Sequence, residues 1–307
     1  MGRFIVMRLL QTVIALIGIS LLIFLLVRAS GDPTNLMRTS TTTEADIQHI
    51  RQVLGLDKSL PVQYWVFIKG LAHGDFGYSY IKLRPVNSMI AESLPYSLKL
   101  GISAFVVGMG ISLILGVVAA TRRDSWIDNI VKLIAVLGQA MPSFWLAIMS
   151  IWVFAVVWNV LPVAGTAHIS NYVLPVGTLS FFLLPGMTRL VRSAMLDTLD
   201  TEYIKLARIK GLPERIVIWK HALRNALITP LTTAGMLFAN LISGAVIIES
   251  VFNWPGIGRL AWNGMIARDF PVVQGVTVMV ATIILLVNLL VDILYAYVDP
   301  QIRFQRT

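Results

Sequence analysis

The chain has 307 residues, 56% of them hydrophobic and only 13% charged. A soluble domain carries about 25% charged residues, so this chain lacks the polar surface to cover itself in water and reads as an all-α, polytopic membrane helical bundle. The absence of cysteine and the scatter of four histidines exclude a disulfide framework, a Cys nucleophile and a zinc site, and the formal net charge of +9 matches what a membrane protein gathers in its cytoplasmic loops without calling for a nucleic-acid partner.

A bilayer-spanning helix needs about 20 apolar residues, because each adds 1.5 Å across a hydrocarbon core about 30 Å thick. Leu9 to Val27 is the first such tract, flanked by Arg3, Arg8 and Arg28; its 19 residues exceed the apolar core of a signal peptide, and no small-x-small cleavage site follows. Residues 1–29 are therefore read as an N-terminal segment with an uncleaved first span. Residues 30–96 read as a small extracytoplasmic helical domain. Thr43 can cap a helix through Asp46, Ile47, Ile50, Val53 and Leu54 that Gly55 stops, and Pro61 is placed to begin a second. Tyr64, Trp65, Phe67, Ile68 and Leu71 give that second helix a broad apolar stripe, suited to packing on the domain or on the bilayer surface. His49 and His73 stand alone, without metal-ligand spacing, and are expected to be solvated.

Residues 97–307 form the remaining core of five spans. Leu100 to Thr121 ends at Arg122-Arg123, and Leu133 to Thr188 runs 56 residues without a charge, which suits two spans. Asn159, Pro162, Gly165, Thr166, His168, Ser170 and Asn171 mark the turn between them, and gentle kinks are expected at Pro142, Pro175 and Pro185. The loop 189–224 then carries eight Lys/Arg and four acids, yet it has the periodic apolar positions that a solvated loop does not need. Asp200 or Thr201 can cap a helix with Tyr203, Leu206, Ala207 and Lys210 on one face. Gly211 suits the left-handed position after it, and Pro213 can open the next helix. Such a hairpin could lie on anionic lipid headgroups or dock a cytoplasmic partner.

Asn225 to Ile248 supplies the fifth span and Phe270 to Val298 the sixth, interrupted only by Asp292. An ion- or proton-coupled secondary transporter using Asp292 is the alternative function. One acid with only Asn288 a turn away makes a poor relay, and a helix–helix hydrogen bond accounts for it as well. The spans hold no histidine, Ser/His pair or Asp pair, so no catalytic residue is expected. With six spans both termini share a side, and placing them in the cytoplasm puts 15 of 25 Lys/Arg inside. Across the short outer loops only Arg259 and Arg268 then remain, the other eight lying in or beside the long 30–96 segment.

Ala207-Arg208-Ile209-Lys210-Gly211, followed by His221-Ala222-Leu223-Arg224-Asn225-Ala226-Leu227-Ile228, resembles the cytoplasmic EAA loop of permease subunits of ATP-binding-cassette importers, in the form found in the dipeptide, oligopeptide, glutathione and nickel group. Counting back from Gly211, the Glu-Ala-Ala triplet falls on Lys205, Leu206 and Ala207, so only its third position and the glycine are kept. Glu202 stands three residues early, and His221 to Arg224 replaces the downstream Ile-x-Leu-Pro. The resemblance continues through Arg8-Leu9-Leu10-Gln11, Gly31-Asp32-Pro33, Leu54-Gly55-Leu56-Asp57, Pro61-Val62-Gln63-Tyr64-Trp65, Gly74-Asp75-Phe76-Gly77 and Arg84-Pro85-Val86. Further along come Met141-Pro142-Ser143-Phe144-Trp145, Phe252-Asn253-Trp254-Pro255-Gly256-Ile257-Gly258-Arg259 and Arg268-Asp269-Phe270-Pro271-Val272-Val273-Gln274, in the order of the B-type permease of the pair.

What the resemblance implies is a bacterial inner-membrane permease whose 201–211 helix seats on an ATPase subunit through Tyr203, Leu206, Ala207, Arg208, Lys210 and Gly211. It implies a heterodimer with a second permease, two ATPase subunits that carry ATP and Mg, and an extracytoplasmic solute-binding protein, all working in membrane lipid. The chain itself has no G-x-x-x-x-G-K-[ST] and is expected to bind no cofactor or metal. A pathway for a peptide or a related small solute is expected to be lined by small polar groups, with Ser103, Ser112, Ser143, Thr232, Thr233, Asn240 and Ser243 as candidates.

Overall fold

The computed structural model describes residues 2–31, 34, 43–53 and 55–298, and among these nearly all regular structure is helical. Three helices are long and apolar enough to cross a bilayer, or up to six if each of three bent pairs counts as one span. Two compact units are distinguished, one built from Met1–Tyr96 with Pro255–Leu289, the other from Ser97–Trp254 and a stretch beginning at Leu290.

In the first unit, α1 (Gly2–Ala29) contains the expected first span and presents apolar side chains outward along its length. Glu44–Val53 forms α2, beginning directly after Thr43 as anticipated. Gly55, at a φ of +66°, ends it: the Gly55 amide donates to Gln52 O and the Leu56 amide to Arg51 O, the paired bonds that close a helix through a left-handed residue. Helix α3 (Leu60–Ala72) carries Pro61 in its first turn, where the missing amide proton costs nothing. A short antiparallel pair, β1 (Tyr78–Ser79) and β2 (Arg84–Pro85), sets Tyr78 opposite Pro85 and is a departure from helix that the sequence pattern did not anticipate. Its hairpin is held by Asp269, whose carboxylate, nearly fully buried, accepts from Ser79 Oγ and from the amides of Tyr80 at 3.2 Å and Ile81 at 3.4 Å. The core of this unit joins Val86, Met89 and Ile90, at the start of α4 (Val86–Thr121), to Ile257 of α13 (Ile257–Ile266) and to Val272 and Val276 of α14 (Phe270–Val298).

The second unit holds the rest of α4, then α5 (Trp126–Ala140), α6 (Ser143–Ser150) prolonged as a π-helical stretch Ile151–Val157, α7 (Ser170–Phe181) and α8 (Leu184–Leu199). Pro142 does more than kink its helix. It leaves Met141 extended (ψ 129°), and the axes of α5 and α6 meet at 107°. The ring removes one helical hydrogen bond and crowds the residue before it out of the helical region, which replaces the gentle kink expected there. Pro175 lies inside an unbroken α7, while Pro185 opens α8 after a 56° bend. Small residues let α4 and α8 approach closely: a Cβ on Gly116 would stand 2.6 Å from Val191 Cγ1. Met109, Val117, Leu183, Met187, Val191 and Met195 fill the core between them. Helix α12 (Ile228–Val251) closes the unit, and its fully buried Glu249 accepts from Ser97 Oγ at 2.5 Å.

Candidate functional site

After α8 the chain turns through Asp200 and Thr201 and enters α9 (Glu202–Ile209). Thr201 occupies the N-cap position with extended backbone, but its hydroxyl donates to Thr198 O and does not cap the helix. The other end follows the sequence closely. Gly211 sits at φ +76°, its amide donates to Arg208 O at 2.9 Å, and the Leu212 amide donates to Ala207 O at 3.3 Å. This is the Schellman closure, and it requires a residue at ease in the left-handed region. Pro213 then leads into α10 (Glu214–Ile216), a π-helical stretch Val217–Ala222 and α11 (Leu223–Ala226).

Arg208 clamps that turn, its Nη2 lying 2.8 Å from Glu214 Oε1 and its Nε 3.2 Å from Glu214 Oε2. The Glu214 carboxylate pushes the Arg208 guanidinium above its usual range, and Glu202, 2.8 Å from Lys205 Nζ, does the same for Lys205. Both cations therefore stay charged at any physiological pH. Asn225 Nδ2 donates to the Tyr203 hydroxyl at 2.8 Å, tying α9 to α11.

The two sides of α9 differ. Ile204 is fully buried and Ala207 nearly so, both in one core cluster with Met187, Val191, Met195, Val217 and Ala222. Tyr203, Leu206 and Ile209 are open to solvent, Ile209 at 82%. Of the predicted contact face, Tyr203, Leu206, Arg208, Lys210 and Gly211 are thus on accessible surface, whereas Ala207 turns inward. Ile209, which the 203/206/207 spacing passed over, is exposed in its stead. The spacing of Ile204 and Ala207, three residues apart, was the available signal for an inward stripe.

A buried ion pair that the sequence reading missed lies at the foot of α8. Asp128, fully buried in the first turn of α5, accepts from Arg192 Nε at 2.7 Å and Nη2 at 2.8 Å, from Lys132 Nζ at 2.8 Å and from the Asp124 amide at 3.1 Å. Ser125 caps the same turn by accepting from the Asp128 amide. The bidentate Arg192 guanidinium, the Lys132 ammonium and one amide together offset the cost of burying the carboxylate, and Arg192 locks α5 to the helix that leads into α9.

The pathway candidates are more dispersed. Ser143, half-buried, begins α6 directly after the Pro142 break, and Thr232 and Thr233 donate their hydroxyls to the carbonyls of Ile228 and Thr229 within α12. Ser112 is fully buried with an unpaired hydroxyl. The side chains of Asn240 and Ser243 lie outside the described ones. Asp292, half-buried on α14, has an interaction within the chain. Among the described residues no group of His, Cys, Asp or Glu is arranged to hold a metal.

Residues 112–304 match the family described as the binding-protein-dependent transport system inner membrane component, and residues 1–101 match its N-terminal domain. The chain is 38% identical over 313 residues to a protein of Brucella abortus (strain 2308) named as a peptide transport system permease, covering 99% of this chain and all of the relative. It is 37% identical over 306 residues to the glutathione transport system permease protein GsiC of Escherichia coli (strain K12), again covering 99% of this chain and all of the relative. Two solved structures share its fold. An inward-facing MetNI methionine ABC transporter aligns with a TM-score of 0.57 at 20% identity, over 69% of this chain and 96% of that one. An amino acid ABC transporter crystallised with histidines aligns at 0.53 and 15% identity, over 68% of this chain and 94% of that one.

Proposed function

The chain belongs to the family of binding-protein-dependent transport system inner membrane components, and from that premise we propose that α9 is the surface through which a cytoplasmic ATPase drives it. It is a multi-pass inner-membrane permease subunit of an ATP-driven importer and works with ATPase and binding-protein components. The relatives are permeases and not enzymes, and secondary transport through Asp292 finds no support among them.

The observation that carries the reading is the two-sidedness of α9: Tyr203, Leu206 and Ile209 offered outward on a helix whose Ile204 and Ala207 are keyed into the core. A helix held that way moves with α8 as one body, so a push from an ATPase groove is passed into the spans as a rigid-body displacement. The three apolar side chains would carry most of the affinity, with Arg208 and Lys210 at the rim tuning association. In this reading Ala207 contributes by fixing the helix, Gly211 by aiming it, and neither by touching the partner.

The rest of the assembly follows the same reading. Six spans hold both termini in the cytoplasm, residues 30–96 face outward, and a second, different permease completes the pathway. Two ATPase subunits bind ATP and Mg, and a binding protein delivers a peptide or a peptide-like solute such as glutathione. Ser143, Thr232, Asn240 and Ser243 are the proposed lining groups, their small polar side chains suiting a zwitterionic solute.

Co-purification tests the central point. Leu206→Asp and Ile209→Asp should reach the membrane at normal level but lose the ATPase subunits and ATP-dependent uptake, while Lys205→Ala keeps both. Aspartate variants that retain ATPases and uptake would leave α9 as a hairpin lying on lipid headgroups.

A further inference from the structure

We infer that α3 is anchored in the outer leaflet of the bilayer, with Val62, Trp65 and Val66 packed by lipid acyl chains beside α1. This rests on the topology proposed above, which puts residues 30–96 outside.

Depth is the first ground. The Tyr64 hydroxyl lies 3.0 Å from Ser20 Oγ and donates to Ile17 O at 3.3 Å, while Phe24, 2% exposed, is covered by the Tyr64 ring edge-on at 5.4 Å and by Phe67 at 6.1 Å. Counting down α1 from Val27, where the apolar tract ends, Ser20 lies roughly 10 Å below the outer hydrocarbon boundary. At that level the open side of α1 consists of Leu21, Leu22, Leu25 and Leu26, each at least 40% exposed. Helix α3 therefore lies against the first span at a height where that span faces lipid, within the depth of about 5–10 Å at which interfacial helices settle.

The chemistry of α3 is the second. From Ser59 to Ile68 there is no charge, and none of its side chains is buried in the protein. Tyr64 and Phe67 meet α1; Val62, Trp65 and Val66, spaced three and four apart, point to a different side and are 45%, 69% and 58% exposed. A helix of a water-bathed domain carries polar residues on its outer side, whereas here both sides are apolar, as lipid requires. Lys58 and Lys69 flank the uncharged stretch, each with a stem long enough to bring its ammonium to the headgroups, and Trp65 is the residue type enriched at that boundary. The acyl-chain surface that α1 already meets is thus continued by α3.

The chain has no cysteine, so a single-Cys variant labelled before assembly with its partners carries one probe at a known site. Val66→Cys, carrying a nitroxide, is placed in the assembled importer in phosphatidylethanolamine/phosphatidylglycerol vesicles and compared with Ile14→Cys on α1 and Lys82→Cys on the β hairpin. Collision with oxygen relative to a water-soluble nickel chelate should be close to the Ile14 value and several-fold above the Lys82 value. A ratio matching Lys82 would put α3 in water and overturn the inference. Low collision with both reagents would overturn it too, showing the face covered by protein such as the second permease. Sidedness is read separately, by labelling Lys82→Cys in intact cells with an impermeant maleimide: blocked labelling with a lipid-like ratio at Val66 would fault the topology and leave the burial in lipid standing.

Discussion

Gly211 stands at φ +76° with nothing within 4 Å of where a Cβ would be, so a substitution there strains the backbone and crowds nothing. A β-branched residue forced into the left-handed region costs about 1–2 kcal/mol, and the chain can relieve it only by opening the turn and re-aiming α9. Gly211→Val should therefore lower uptake far more than it lowers protein level, and Gly211→Asn should recover much of the loss, because asparagine tolerates that conformation. Equal uptake by the valine variant and the wild type would show that the turn does not aim the helix. Asp128 behaves differently because it is buried. Asp128→Ala leaves Arg192, whose side chain is 20% exposed, without its counter-charge, a loss of up to about 3 kcal/mol given that partial exposure. Adding Arg192→Ala should cost little more, so thermal melting of the purified variants should show strongly non-additive losses, and additive losses would mean the pair is not coupled. The two residues differ in legibility for a physical reason. Gly211 announces itself by a local pattern, glycine then proline after an amphipathic turn. The Arg192 partner of Asp128 is 64 positions away, and no local period connects the two.

Helix α9 was readable as an element, but not which way its small residue faced. Tyr203, Leu206 and Ala207 share one flank on a helical projection, yet the helix is rolled so that Ile204 and Ala207 meet the core. Roll is decided by what the neighbouring helices offer, here Val191, Met195 and Val217; the eight residues hold both the Ile204/Ala207 stripe and the Tyr203/Leu206 one and do not by themselves choose between them. The roll has a measurable consequence. Ala207→Asp puts a carboxylate among apolar side chains with no hydrogen-bond partner, so its main effect should be loss of folded protein. Leu206→Asp, half-exposed, should leave the yield intact and remove the ATPases. Expression level and co-purification, measured side by side, separate the two; identical behaviour would contradict the observed roll. Longer elements were easier where the apolar tract and the helix coincide, as for α14, which runs over Phe270–Val298 as its sequence indicates. They were harder where helix continues past the hydrocarbon: α4 begins at Val86, well before its uncharged tract at Leu100, because hydropathy marks the membrane and not the hydrogen-bond ladder.

For the whole molecule, Lys and Arg are distributed as cytoplasmic termini require, and that distribution sets the next prediction: a reporter fused after Gly70 should be extracytoplasmic and one fused after Gly211 cytoplasmic. The reverse pattern would put α9 on the wrong side to meet any ATPase. Given the expected sidedness, the remaining question is where free energy enters. The sequence contains no G-x-x-x-x-G-K-[ST], so the purified chain should neither bind nor hydrolyse ATP. Transport in vesicles should then appear only when the second permease, the ATPases and the binding protein are supplied together, and should stop when ATP is withdrawn. An acid-driven carrier would behave otherwise. It would take up solute under an imposed proton gradient without ATP and lose that uptake in Asp292→Asn, which removes the carboxyl from the apolar tract of α14. Because Asp292 belongs to α14 and not to the α8–α9 segment on which the ATPase is proposed to act, its neutralisation should instead leave ATP-dependent uptake largely intact. Measuring both variants, Asp292→Asn and Leu206→Asp, under both driving forces assigns the energy source: ATP-dependent uptake that survives the first and vanishes in the second can come only through the cytoplasmic helix.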